Sequence, residues 1–245
     1  MRKPIMAGNW KLQKLESEAV DFVKELKPLV ADVKDREILV CPTFVCLSKV
    51  SDVVRGSNIS LGAQNIYWED AGAFTAEVSG PMIKAVGCSH AIIGHSERRQ
   101  YFGETNETVN KRTKAALKHG LTAVVCVGET LAQREANETM KIVESQVKEG
   151  TAGLSTADWD SIVIAYEPVW AIGTGKTASP EQAQEVHKFI RGLLPKEVAD
   201  KVRILYGGSV NPANVKQLMA QPDIDGGLVG GASLKVDSFV QLIKY

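Results

Sequence analysis

Neither sign of charge is in excess in this sequence. Its 29 lysines and arginines stand against 29 aspartates and glutamates, so no global field draws the chain to nucleic acid or to an anionic membrane. Any anion must be held locally. No apolar run approaches the roughly 18 residues of a transmembrane helix, and the N-terminal apolar stretch breaks at Asn9-Trp10-Lys11, too soon for a signal peptide. Cysteine is sparse. Cys41, Cys46, Cys88 and Cys126 form no Cys-x-x-Cys pair, which speaks against a disulfide framework and for reduced thiols in the cytoplasm. Linker-like and low-complexity tracts are also missing, so residues 1–245 read as one domain.

What is present is a repeated alternation of apolar runs and amphipathic segments. The runs Pro4–Asn9, Ile38–Cys41, Ile59–Ala63, Ala91–Gly94, Ala123–Val127, Ile162–Ala165, Val202–Tyr206 and Gly227–Gly230 have strand length and mostly lack polar alternation. That pattern suits parallel strands covered on both faces. Between them lie helical stripes, such as Glu16–Val30 with Ala19, Val20, Val23, Leu26 and Val30 on one side, and Thr105–His119 closing on Gly120. Ser179-Pro-Glu-Gln182 has the form of a capping box, and Asn211-Pro212 marks another helix start. Eight strand-then-helix units in 245 residues predict an α/β fold, a single (β/α)8 TIM barrel. An open doubly wound sheet is the alternative.

In a parallel barrel the loops after the strand C-termini carry the chemistry. The first strand ends in Asn9-Trp10-Lys11, where strand alternation puts an amide and an ammonium on one side. The fourth runs into His95-Ser96, and a histidine beside a helix start is expected to be a neutral imidazole. The sixth delivers Glu167 between an apolar run and Pro168. The connection from Pro168 to Ala178 is about twice the usual length of a βα loop, and its Val169, Trp170, Ala171 and Ile172 suit a cover rather than a solvent-facing loop. A closed cover would desolvate Glu167 and raise its basicity. The last two strands end in Gly207-Gly-Ser209 and Gly230-Gly-Ala-Ser233, whose unshielded peptide N–H groups form a phosphate cradle. His90, His119 and His187 have no comparable setting. Gly175-Lys-Thr177 is not a P-loop, because Trp170 stands where its first glycine belongs, and Gly173-Thr-Gly175 lies too far past its strand for a dinucleotide fingerprint.

Several stretches together carry a resemblance: Ala7-Gly-Asn-Trp-Lys11, Gly94-His-Ser-Glu-Arg98, Cys126-Val-Gly-Glu129, Tyr166 to Lys176, Tyr206-Gly-Gly-Ser209 and Leu228-Val-Gly-Gly231. With them the chain resembles the triosephosphate isomerase family over nearly its whole length, departing slightly at Leu12, where methionine is more usual. The resemblance implies interconversion of dihydroxyacetone phosphate and D-glyceraldehyde 3-phosphate, in glycolysis and gluconeogenesis, without a cofactor or metal. By it, Glu167 is the base, His95 polarises the carbonyl, and Asn9 and Lys11 bind and stabilise the enediolate. Gly173, Ser209, Gly230 and Gly231 hold the substrate, and Glu97 positions Lys11. It also implies a homodimer in which Thr75, on the long aromatic stretch Asn65–Ala76, braces Asn9 and Lys11 of the other subunit. Two rivals remain at this stage. A Schiff-base aldolase would use Lys11 as nucleophile; a phosphosugar sensor would keep the glycine loops but need neither Glu167 nor His95.

Overall fold

Eight parallel strands close into a barrel in the order of the sequence: β1 Ile5–Asn9, β2 Glu37–Cys41, β3 Ile59–Ala63, β4 His90–Ile93, β5 Thr122–Val127, β6 Ile162–Tyr166, β7 Arg203–Tyr206 and β8 Gly226–Val229. The computed structural model describes residues 2–172 and 177–245. The barrel is the predicted one, and the open sheet is excluded because β1 pairs with β8 as well as with β2. Strand limits differ from the expected runs by at most one residue at either end.

The missing polar alternation has its expected cause. Successive side chains on a strand point to opposite faces, and here both faces are dry. Ile5, Ala7, Leu39, Cys41, Ile92 and Val124 are among the residues that fill the barrel interior. Their neighbours Met6, Ile38, Val40, Ala91 and Ile93 belong to the second core, under the helices. Full burial of a side chain such as Ile or Leu contributes about 1.5–3 kcal/mol. Two stacked layers of this kind leave few strand positions for a polar residue.

Of the two helix starts marked in the sequence, one is where its cap puts it. Ser179 and Gln182 bond reciprocally through side chain and backbone, at 3.2 and 3.0 Å, and the helix Pro180–Leu193 follows. After Asn211 the chain first makes a turn, in which the Asn211 carboxamide accepts from Ala213 and Asn214, and the helix begins only at Val215. All four cysteines are buried free thiols. At the N-terminal mouth, the first residues of β2, β4 and β7 form a charged cluster. Glu37 meets His90 Nε2 at 3.1 Å and Arg203 at 2.7 Å. Among the described residues no helix is long and apolar enough to cross a membrane.

Candidate active site

The C-terminal ends of the strands converge on a cavity of about 420 Å³ lined by Asn9, Lys11, His95, Glu167, Ser209 and the Gly230-Gly231 pair. Five separate strand endings thus deliver the residues that the sequence points to, and barrel closure alone brings β1 beside β8.

Glu167 follows β6 directly, and its backbone stays in the ladder: its N–H donates to Val127 O at 2.7 Å, while Gly207 N–H donates to Tyr166 O at 2.7 Å. Only 2% of the residue is exposed. One carboxylate oxygen meets His95 Nε2 at 2.8 Å and the other accepts the Ser96 N–H at 2.9 Å. Burial pushes the carboxyl pKa up, but the His95 ring and the Ser96 N–H outweigh it, and the net shift is downward. In this arrangement Glu167 is a weaker base than an ordinary carboxylate. Raised basicity therefore requires the side chain to leave Ser96 and His95 for the cavity. Two glycines make room for Glu167 where it stands. A Cβ on Gly207 would lie 2.8 Å from Glu167 Cγ, and one on Gly128 would lie 1.8 Å from Glu167 O.

His95 closes β4 and is the N-cap of the helix Ser96–Phe102. Gly94 makes the tight turn before it, with φ of 69° and Val109 packed where a side chain would stand. The Glu97 N–H points at His95 Nδ1 at 3.2 Å. With Nδ1 accepting, the ring proton belongs on Nε2, facing Glu167, which is the geometry of a neutral ring. Burial disfavours the imidazolium, yet the Glu167 and Glu97 carboxylates outweigh burial and raise the pKa. Part of that rise comes from Glu167, whose carboxylate lies 2.8 Å from the ring.

Lys11 reaches the same side as Asn9, but not by strand alternation. The strand ends at Asn9, and Lys11 takes a left-handed backbone with φ of 53°. That conformation costs a residue with a side chain about 1–2 kcal/mol. It is held from both sides: the Lys11 N–H donates to Asn9 Oδ1 at 3.1 Å, and Gln64 Nε2 donates to Lys11 O and Cys41 O, each at 2.9 Å. The Lys11 ammonium meets Glu97 Oε1 at 2.6 Å. Trp10 turns outward and packs edge-on against Phe22 at 5.0 Å. Sequence reading passed over Gln64, because one glutamine beyond a strand has no local mark of its role.

Ser209 and the Gly230-Gly231 pair line the same cavity, with Gly230 next to the Lys11 side chain: a Cβ there would lie 3.4 Å from Lys11 Cε. Asn214 Nδ2 fixes Ser209 O at 3.0 Å. The Gly230 turn is pinned by Ser233 Oγ, which donates to Gly230 O at 2.7 Å. Along the predicted cover, Val169–Ala171 form a 3-10 turn. Trp170 Nε1 donates to Glu129 Oε1 at 2.9 Å, and the Arg134 guanidinium lies 4.7 Å from its ring. Glu129 is fully buried and also accepts from Tyr166 OH at 3.1 Å and Arg134 at 3.2 Å. Those donors offset the cost of a buried charge. Glu129 is a second residue whose part was not legible in advance. Gly173 lies outside the described residues. Thr75 sits exposed on the long loop after β3 and does not line the cavity of its own chain.

A carboxylate, an imidazole and an ammonium lining one cavity together with glycine backbone can move a proton at a carbon beside a carbonyl while holding an anionic tail. Comparison with known sequences agrees with that chemistry. The family model described as Triosephosphate isomerase matches residues 4–245. Relatives named Triosephosphate isomerase include one from Endomicrobium trichonymphae, 62% identical over 100% of this chain and 99% of its own length. Another, from Geotalea uraniireducens, is 57% identical with the same coverage.

Proposed function

The chain belongs to the triosephosphate isomerase family and is an intramolecular aldose-ketose isomerase, and from that premise we propose how its residues act. Residues 1–245 form one catalytic domain that interconverts dihydroxyacetone phosphate and D-glyceraldehyde 3-phosphate, in glycolysis and gluconeogenesis. The phosphate binds the main-chain N–H groups around Ser209, Gly230 and Gly231, and Gly173 joins them from the cover. The carbonyl end meets Asn9, Lys11 and His95.

Glu167 swings off the Ser96 N–H, takes a proton from the carbon beside the carbonyl and returns it to the adjacent one. His95, as a neutral Nε2–H donor, and the Lys11 ammonium stabilise the enediolate oxygens between the two transfers. Glu97 holds Lys11 in register, supported by the 2.6 Å contact. Exclusion of water by the cover strengthens these dipoles and protects an intermediate that can otherwise expel its phosphate. The observation that carries this reading is the meeting of Glu167, His95 and Lys11 over one cavity that is also lined by the Gly207-Gly208-Ser209 and Gly230-Gly231 backbone. It disfavours the aldolase, because Lys11 Nζ is engaged by Glu97. The sensor is disfavoured as well, since Glu167 and His95 bond to each other at 2.8 Å over that cavity.

We further propose a homodimer in the cytoplasm. Beside the site runs a second groove of about 960 Å³ that includes Lys11, Gln64 and Glu97 together with Leu12, Tyr101 and Phe102, which are 93%, 68% and 67% exposed. Apolar surface of that kind calls for a partner. The loop carrying Thr75 has the complementary character, with Tyr67 stacked on Trp68 at 4.1 Å, Phe74 tilted against Tyr67 at 4.9 Å and Thr75 exposed at the tip. Insertion of this loop into the groove of a second copy sets Thr75 against Asn9 and Lys11. The buried free thiols support a reducing compartment.

The test is a coupled assay on the purified chain in both directions, with Glu167→Gln beside it. Turnover that is lost in the variant, with solvent deuterium entering product carbon and no C–C cleavage, is expected. Borohydride trapping of substrate on Lys11 would instead establish the aldolase.

A further inference from the structure

The connection after β1 contains a second lysine in left-handed backbone, Lys14, with φ of 72°. Glycine would adopt this conformation without the cost of about 1–2 kcal/mol, so a lysine here needs its side chain. That side chain crosses to the turn after β8. Lys14 Nζ donates to Leu234 O at 3.0 Å, the last carbonyl of the 3-10 turn Gly231–Leu234. On the way the ammonium lies 4.6 Å from the Phe22 ring centroid and 5.4 Å from that of Trp10. Lys14 does not line the cavity with Asn9 and Glu167. It touches only the outer end of the turn whose inner end is the Gly230-Gly231 pair. The other anchors of that turn are local: Ser233 Oγ bonds to Gly230 O and Val229 O at 2.7 and 3.0 Å, and Gly8 leaves the space that Ser233 occupies.

We propose that Lys14 is a positioning residue for substrate phosphate: it ties the Gly230–Leu234 turn to the loop bearing Asn9 and Lys11, and so sets the distance between the amides that hold the anion and the groups that act on the carbonyl. The inference rests on the isomerase reading above. A strut of this kind governs how well the phosphate is gripped, and leaves the proton transfers at Glu167 alone.

Lys14→Met keeps the chain length, the packing on Phe22 and the left-handed penalty, and removes only the donor and its charge. Lys14→Arg restores both. The readouts are kcat, KM for D-glyceraldehyde 3-phosphate, and the affinity for inorganic phosphate by calorimetry, which needs no turnover. Loss of a hydrogen bond to a charged donor predicts KM and the phosphate dissociation constant raised about five- to tenfold in Lys14→Met, with kcat within twofold of the parent and most of the loss recovered in Lys14→Arg. Lys14→Gln carries the same expectation should Lys14→Met not fold. Phosphate affinity unchanged in the neutral variants overturns the proposal, as does an equal loss in Lys14→Arg. A parent chain that binds phosphate yet does not isomerise triose phosphates overturns the isomerase reading instead.

Discussion

Gly128 offers the sharpest test of how tightly the backbone around Glu167 is built. An alanine Cβ there would lie 1.8 Å from Glu167 O and 2.6 Å from Glu167 C, against 3.0 Å as the closest approach that real Cβ atoms show. Both atoms are backbone, so no rotamer change relieves the clash, and the ends of β5 and β6 must part by more than about 1 Å. Their separation is opposed by the 2.7 Å bond from Glu167 N–H to Val127 O and by Gln146, which accepts from Gly128 N–H at 2.7 Å and donates to Gly128 O at 3.1 Å. Overpacking of this kind costs about 1–3 kcal/mol, and a 1 Å error in a reacting group costs about 10²-fold in rate. For Gly128→Ala we therefore expect kcat to fall about 100-fold in the coupled assay, with KM shifted less than about threefold, because Gly128 does not line the cavity with Ser209, Gly230 and Gly231. Urea unfolding should show a loss of about 3 kcal/mol. Gly192→Ala is the control: its Cβ meets nothing within 4 Å inside the helix Pro180–Leu193, so it should leave kcat unchanged and add about 0.5 kcal/mol. Parental kcat and stability in Gly128→Ala would show that the β5 and β6 ends yield without displacing Glu167.

Three further outcomes are expected. Gln64→Leu strips the donor from Lys11 O and Cys41 O; with Lys11 released from its strained backbone, kcat should drop about tenfold and stability by about 1–3 kcal/mol, read by steady-state kinetics and urea titration. Glu37 has its pKa lowered to about 2, since the His90 and Arg203 partners outweigh the upward push of burial. A depressed carboxyl pKa gives stability that is present above the unfolded value near 4.5 and lost as pH falls toward 2, so Glu37→Gln should cost up to about 3 kcal/mol at pH 7 and flatten the urea midpoint between those pH values. On dilution into monomers, tracked by sedimentation, specific activity should fall with the dimer fraction; fully active monomers would contradict the proposed contribution of Thr75.

The barrel was legible because its physics is local. Runs such as Ile162–Tyr166 lack polar residues since both their faces are buried, and Ser179-Pro-Glu-Gln182 satisfies its own helix start. The positions of Asn9, His95, Glu167 and Gly230 followed from the rule that chemistry gathers at strand C-termini. Contacts between distant positions left no such trace. Glu167 rests on Ser96, and Gln64, Glu129 and Gln146 act by holding backbone or indole groups that only the closed barrel brings near. Lys11 shows the middle case: alternation led to the correct side of the chain, whereas the structure reaches it through a left-handed turn that a lysine does not advertise. At Asn211-Pro212 the start signal is satisfied by a turn, and the helix waits until Val215.

Proton transfer by Glu167 is tested by Glu167→Asp. The shortened side chain retracts the carboxylate by one methylene while leaving Ser209, Gly230 and Gly231 in place. Steady-state kinetics in both directions should show kcat reduced about 10²-fold or more with KM within a few-fold of the parent. Undiminished kcat in Glu167→Asp would contradict the account.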